Sequence, residues 1–375
     1  MNKPKRRPPN ILIIQADQLS APHLSIYGGA TCQTPNLTDL AARSTVFANA
    51  YCNSPLCGPS RASMLTGKMP SEIAVYDNAC DFSSSIPTVG HILQSQGYRT
   101  IVSGKMHFVG ADQNHGFEER LTADIYPTDY SWTPSWGDEQ LLADYFSASA
   151  SELRDAGIAE SSVQLEFDQE VADRAIEKLM QIGNARDTGP YCLIASFTHP
   201  HDPFVIPKRY WDRYSGAEIG LPSQRMFPPE MRDAHSARLF EIYRFDELSL
   251  NDEELKRIRQ AYFGAISFID DQIGRLLSVL EATDALDDTV VIFLSDHGEM
   301  LGERGGWFKQ YFYEPSTTVP LIIRAPGRYK HSRISELVSL VDLLPTFMDI
   351  ATDGNAPEPT SPLDGNSLTG LLSGG

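Results

Sequence analysis

Cys57 stands two residues before a proline and four before an arginine, in the run Cys57-Gly58-Pro59-Ser60-Arg61-Ala62-Ser63-Met64-Leu65-Thr66-Gly67. A proline here starts a helical turn, so the thiol sits where unpaired backbone N–H groups and the positive end of a helix dipole favour an anion. Arg61 adds a charge that does not titrate away. Together they read as an anion site holding a reactive side chain. The other ionisable residues of interest come in short groups: Asp17-Gln18, Lys105 with His107, His199 with His201, Asp296-His297, and Lys309. Carboxylates from two of these groups, with an imidazole beside one, form a donor set for a hard divalent cation, the imidazole leaning toward manganese. Arg61, Lys105 and Lys309 supply the local positive pocket that an anionic substrate needs in a chain of formal net charge −18.

The elements that must position these groups follow from periodicity. Residues 10–16 are a short apolar, β-prone run that ends at Asp17. Residues 34–43 open on Thr-Pro-Asn as an amphipathic helix, and residues 46–51 read as a second strand. Residues 88–96 have helical spacing and stop at Gly97, before a strand over 98–102. Downstream the pattern repeats: a helix near 169–180, a strand over 191–197, a long helix from Asp252 to Glu281, and a strand over 290–294. This alternation predicts an α/β fold, a large and mostly parallel sheet with helices on both faces. In such sheets ligands gather beyond the carboxyl ends of the strands, and each of the four polar groups that begin at Asp17, Lys105, His199 and Asp296 follows one. Residues 127–137 and 215–246 lack periodicity and are predicted to be long loops over that face. The chain divides into a basic, disordered stretch at 1–8, a catalytic domain at 9–355, and a Pro/Gly/Ser-rich, linker-like tail at 356–375.

Bulk properties narrow the class. With 41% hydrophobic and 21% charged residues among 375, the chain is an ordinary globular protein large enough for a sizeable core. Its acidity argues against nucleic acid or an anionic membrane as a partner. The basic N-terminus is followed by only Ile11 to Ile14 as an apolar stretch, too short for a signal peptide, and no run is long enough to span a membrane. Cys32, Cys52, Cys57, Cys80 and Cys192 are odd in number and show no C-x-x-C spacing, which argues against a disulfide framework or a structural zinc site. A cytoplasmic location is the expectation, and nothing in the chain excludes a homo-oligomer.

The run C-x-P-S-R-x-x-x-L-T-G at Cys57, preceded by Asn53-Ser54-Pro55-Leu56, resembles the signature of the type I sulfatases. The resemblance implies the fold of that family, here without its small C-terminal subdomain. It also implies a sulfuric ester hydrolase in which a maturation enzyme oxidises Cys57 to formylglycine, whose hydrated aldehyde attacks a small sulfate ester. By the same resemblance Asp17, Gln18, residue 57, Asp296 and His297 hold one divalent ion, Ca2+ first, with Mg2+ or Mn2+ as alternatives. The Gly104-Lys105-Met106-His107 run implies Lys105 as the contact to the nucleophile and sulfate oxygens, and His107 as the base that takes a proton from the second hydroxyl. His201 is implied as general acid to the leaving oxygen, His199 as a supporting residue counted with the substrate contacts, and Lys309 as a contact to the sulfate and bridging oxygens. The stretches 103–110 and 115–120, with Tyr126-Pro127 and Trp132-Thr133-Pro134, resemble the choline sulfatases in particular. That implies Asn78 and Trp132 as substrate contacts, Trp132 offering an aromatic face to a quaternary ammonium. The Asp-Gln and Asp-His pairs also resemble phosphonate monoester hydrolases. Phosphonate or phosphodiester hydrolysis therefore stands as an alternative, as does a non-catalytic relative that binds sulfate esters.

Overall fold

In the computed structural model, which describes residues 7–132, 150–185, 189–359 and 361–374, the apolar runs of the sequence become strands buried on both sides. Along β1 (Asn10–Ala16), Ile11 and Ile13 enter one core while Leu12, Ile14 and Ala16 enter the other. Successive side chains of a strand leave opposite faces, and a run apolar at every position needs cover on both. Seven more strands join it: β2 (Thr45–Tyr51), β3 (Arg99–Gly104), β4 (Glu119–Arg120), β5 (Tyr191–Ser196), β6 (Thr289–Ser295), β7 (Leu321–Arg324) and β8 (Ser332–Ser339). The sheet order is β8-β2-β7-β6-β1-β5-β3-β4. Every neighbouring pair is parallel except those made by β7, which runs against β2 and β6.

Helices cover both faces, as the alternation predicts. One core is closed by α1 (Pro35–Ala42), α3 (Val163–Asn184), α4 (Ala234–Tyr243) and α5 (Asp252–Ala282), the other by α2 (Cys57–Thr66), α6 (Leu343–Thr352) and the short helix Val89–Ser95. Their starts are set by caps. Ser162 Oγ accepts from Leu165 N at 3.2 Å, and Asn251 and Glu254 cap α5 reciprocally, each side chain taking a backbone N–H of the other's end. Such caps contribute about 1 kcal/mol each, against about 1.5–3 kcal/mol for each fully buried Leu, Ile or Phe on the faces they orient.

Two sequence expectations need correction. The predicted loop over 215–246 contains α4, because Asp233 caps it through His235 N and Ser236 N and its Leu239, Phe240 and Tyr243 are buried. The tail over 356–375 is not a free linker. Leu368 and Leu372, four apart, enter the core with the helix Thr369–Leu372, while Asp364 N donates to Gly67 O and Leu368 N to Thr346 Oγ1. Among the described residues, no helix is long and apolar enough to cross a membrane.

The adjacent strands β6, β1, β5 and β3 are parallel and in register at their ends, with Ala16 beside Ser295 and Ser196 beside both Gln15 and Gly104. Asp17, Lys105, the His199–His201 segment and Asp296 therefore emerge side by side. Gly104 is what lets β3 hand over to Lys105: its φ is +105°, and a Cβ there would lie 1.9 Å from Ser196 O. Gly104→Ala should therefore destabilise the protein by at least about 2 kcal/mol, since the backbone strain alone is of order 1–3 kcal/mol. The urea midpoint should fall with little change in slope, and an unaltered midpoint would contradict this packing.

Candidate active site

The site is built around α2, all ten residues of which are buried. Leu56 enters in extended conformation, and Gly58 N, one of the orphan donors of the first turn, is satisfied by Asn78 Oδ1 at 2.9 Å. Cys57 Sγ then lies 3.2 Å from His297 Nε2 and 3.8 Å from Asp17 Oδ1. One turn further, the Arg61 guanidinium donates to Asp296 Oδ2 at 2.7 Å, Asp17 Oδ2 at 3.0 Å and Ser196 Oγ at 2.8 Å, and also to Lys105 O. Lys105 Nζ pairs with Asp17 Oδ2 as well. With both Oδ2 atoms bound to cations, the Oδ1 atoms of Asp17 and Asp296 turn to a common space, 3.7 and 3.8 Å from His297 Nε2. Ligand atoms of Asp17, Cys57, Asp296 and His297 all lie within 4.8 Å of one another. Two buried carboxylate oxygens and one imidazole nitrogen fit a single divalent cation in which oxygen donors dominate.

Gln18 and Lys309 close the opposite side. Gln18 N donates to Asp296 Oδ1 at 3.1 Å, and Gln18 Oε1 accepts from Lys309 Nζ at 2.5 Å. Lys309 Nζ also touches His201 Nε2. His201 Nδ1 is bonded to Asp202 O at 2.8 Å, and because a carbonyl only accepts, Nδ1 carries a proton and Nε2 is the nitrogen turned to the site. His107 hydrogen-bonds Cys57, and its Nε2 is 3.0 Å from Asn78 O. The Tyr126 ring lies beneath Lys105 Nζ at 4.3 Å and 5.8 Å from both His107 and His201. Gln18, His107, Phe308 and Gln310 all have φ between 61° and 79°. Left-handed backbone at such residues costs of order 1–3 kcal/mol and persists where a site requires it.

Electrostatics follow from burial set against this array of charges. Burial alone would raise the Cys57 thiol, but Lys105, Lys309 and His297 outweigh it and hold it well below the ordinary thiol range. Burial and Cys57 push Asp17 up, and Lys105, His201 and Arg61 together hold it below the usual carboxylate range. Burial would lower His297, yet Asp296 and Cys57 raise it to about 9. Glu299 is carried by burial up to about 7. Lys309 is raised despite burial by Cys57 and Asp202, so it stays charged.

The structure brings Asp17, Gln18, Cys57, Arg61, Lys105, His107, His201, Asp296, His297 and Lys309 into one cluster. His199 is placed differently from a substrate contact: its Nδ1 bonds Asp168 at 2.7 Å and its ring meets Phe268, while its carbonyl accepts Asp17 N. Asn78, also expected at the substrate, spends its Oδ1 on the start of α2 and its carbonyl on His107. Trp132 ends the turn Tyr130–Trp132, and its side chain lies outside the described residues. Sequence reasoning missed Asp168, Asp202 and Glu299. Asp168 did leave a signal, an acid in the buried row Leu165, Asp168, Ala172, Ala175, Leu179 of α3, where an apolar side chain belongs.

Residues 9–353 match the sulfatase family. A choline-sulfatase of Rhizobium meliloti (strain 1021) is 44% identical over 370 residues, 98% of this chain and 72% of its own length. Iduronate 2-sulfatase of Homo sapiens is 30% identical over 336 residues, 85% of this chain and 60% of its own. A phosphonate monoester hydrolase of Agrobacterium radiobacter superposes with a TM-score of 0.74 at 26% identity, over 98% of this chain and 77% of that one. The chain belongs to the sulfatase family, and it is accordingly an enzyme of sulfate ester hydrolysis.

The charge on His297 gives the site a testable pH dependence. Only the neutral ring can ligate a cation, and with Cys57 unconverted the ring in the ion-free site is protonated below about pH 9. Affinity for Mn2+ should rise about tenfold per pH unit up to that value and level off above it, with about one proton released per ion. Calorimetry in buffers of different ionisation enthalpy measures this, and an affinity independent of pH between 7 and 9, on the order of two decades of proton concentration, would contradict it.

Proposed function

We propose that this sulfatase hydrolyses a small sulfate ester, choline O-sulfate before others, with formylglycine derived from Cys57 as nucleophile. One divalent ion would be held by Asp17, Gln18, residue 57, Asp296 and His297, with Ca2+ the first expectation and Mg2+ or Mn2+ the alternatives. What carries the reading is the place of residue 57, its side chain between the paired carboxylates and His297 on one side and under the influence of Lys105 and Lys309 on the other. The bound ion supplies positive charge that favours the ionised nucleophile. The hydrated aldehyde supplies one hydroxyl to attack sulfur and a second whose deprotonation expels sulfate.

The remaining work falls to the chain's own residues. Lys105 and Lys309 neutralise the sulfate oxygens in a buried setting where charge interactions are strong. His201, in contact with Lys309, hands a proton to the leaving alkoxide as the sulfur–oxygen bond breaks. His107, bonded to residue 57, takes the proton from the second hydroxyl. Oxidation of Cys57 is assigned to a separate maturation enzyme. All five cysteines are unpaired, which agrees with a reducing, cytoplasmic setting.

The choline assignment rests on the 44% identical relative. The Asp17-Gln18 and Asp296-His297 pairs suit choline sulfatases and phosphonate monoester hydrolases alike, and the 26% identical phosphonate monoester hydrolase supports phosphonate hydrolysis as the second reading. Matured protein should turn over choline O-sulfate with a kcat/KM at least about tenfold above that for an aryl phosphonate monoester, a difference of about 1.4 kcal/mol in transition-state binding. A dominant phosphonate rate would overturn the substrate assignment. Mass spectrometry of the peptide carrying residue 57 should find an aldehyde, and a thiol that persists in active enzyme would overturn the nucleophile. His201→Ala should lower kcat for choline O-sulfate by about 10²–10⁴-fold and that for a nitrophenyl sulfate far less, because a good leaving group needs no proton. Equal losses on both would remove His201 from the role of acid.

A further inference from the structure

We propose that Glu299 is a positioning residue that fixes the side-chain amide of Gln18, so that the Gln18 carbonyl oxygen faces the cation site and Lys309. The inference deepens the divalent-ion reading above and rests on it. Glu299 is fully buried just beyond β6, and its carboxylate accepts three N–H groups. Oε1 takes Leu301 N at 2.8 Å and Phe308 N at 2.7 Å, and Oε2 takes Gln18 Nε2 at 2.6 Å. The first two bonds hold together the ends of the turn that delivers Lys309, a turn also closed by Met300 N to Phe308 O and Gly302 N to Gly306 O. The third crosses to β1's end. One carboxylate thus ties the Lys309 turn to Gln18.

The two ends of a glutamine amide have nearly the same size, so hydrogen bonds alone decide which way it faces. Both protons of Gln18 Nε2 go to acids, one to Glu299 Oε2 and one to Asp202 Oδ1 at 3.0 Å. Turning the amide over would set its oxygen against two carboxylates and its NH2 against the Lys309 ammonium. Of the two acids, Asp202 keeps a side-chain exposure of 22% while Glu299 keeps none, so the bond to Glu299 is the less screened constraint. A hard cation binds a carbonyl oxygen and not an NH2, so the orientation decides whether Gln18 can be a ligand.

Glu299→Gln tests this by reversing one polarity. The new amide must keep its oxygen on Leu301 N and Phe308 N, which points its NH2 at the NH2 of Gln18 and drives Gln18 to turn over. In the full chain with Cys57 unconverted, Mn2+ affinity by calorimetry should fall about 10–100-fold, the usual effect of losing a partner that orients a ligand. Placing a carboxylate at position 18 makes the logic run the other way. In a Gln18→Glu background, Glu299→Gln removes a carboxylate pair and supplies a donor, so it should tighten Mn2+ binding by at least about tenfold. Loss of a negative charge near the ion would by itself weaken binding in both backgrounds, so the inversion of sign is specific to amide orientation. Should Glu299→Gln alone fail to fold, the comparison of Gln18→Glu with the double variant decides. Unchanged affinity in Glu299→Gln, or a double variant no tighter than Gln18→Glu, overturns the proposal. Failure of the unsubstituted protein to bind Mn2+ overturns it together with the divalent-ion reading, whereas an intact sign inversion without turnover of choline O-sulfate overturns only the substrate assignment.

Discussion

The Arg61 guanidinium, held between Asp17 and Asp296, is the interaction on which the rest depends. It is 1% exposed and donates to the last residue of one strand, Ser196 of β5, and to the residues that directly follow three others: Asp17 beyond β1, Asp296 beyond β6, and the carbonyl of Lys105 beyond β3. Burying three charges costs several kcal/mol per ion unless geometry and further hydrogen bonds offset it. A planar fork meets that condition where a lysine could not, because its donors are fixed in directions that reach two carboxylates at once. The consequence is chemical as well as structural. By taking the Oδ2 atom of each acid it turns both Oδ1 atoms toward His297 and residue 57.

The fold makes this arrangement possible by bringing parallel strand ends to a common edge. Once β6, β1, β5 and β3 are in register, the residue after each strand has little freedom, and α2 needs only one start position to set both Cys57 and Arg61. Strain is concentrated in the same place. Left-handed backbone at Gln18, His107, Phe308 and Gln310 is tolerated because the two apolar cores behind the sheet fix the flanking chain. Stability is thus supplied by residues remote from the chemistry and spent in part at the strand ends.

Much of this was legible in the sequence, for reasons that differ by element. The runs at β1, β5 and β6 are apolar at nearly every position, which only a strand covered on both faces explains, so the parallel sheet and the location of the site could be read directly. The Cys57 run, the Gly104–His107 run and Asp296-His297 carried the reacting groups. β7, four residues long and directly after Pro320, is too short for any period to show, so the antiparallel member of the sheet was invisible. Pro, Gly and Ser made 356–375 look like a linker, while the decisive pair Leu368 and Leu372 is only two side chains. His199 stood beside His201 in sequence yet faces Asp168 across the fold, a partner that spacing alone does not reveal. Glu299 was missed because an acid two residues past a histidine looks like any solvated loop residue until Gln18 and the Lys309 turn are seen to converge on it.

The central claim is that Arg61 aims two carboxylates at one cation beside residue 57. Anomalous diffraction at the manganese edge, from crystals of the protein grown with Mn2+, tests it most directly. A single strong peak is expected among Asp17 Oδ1, Asp296 Oδ1, His297 Nε2, Gln18 Oε1 and the side chain of residue 57, with Arg61 still on the opposite carboxylate oxygens. A peak at another place on the chain, or an ion seated only after Arg61 has swung away from Asp17 and Asp296, would contradict it.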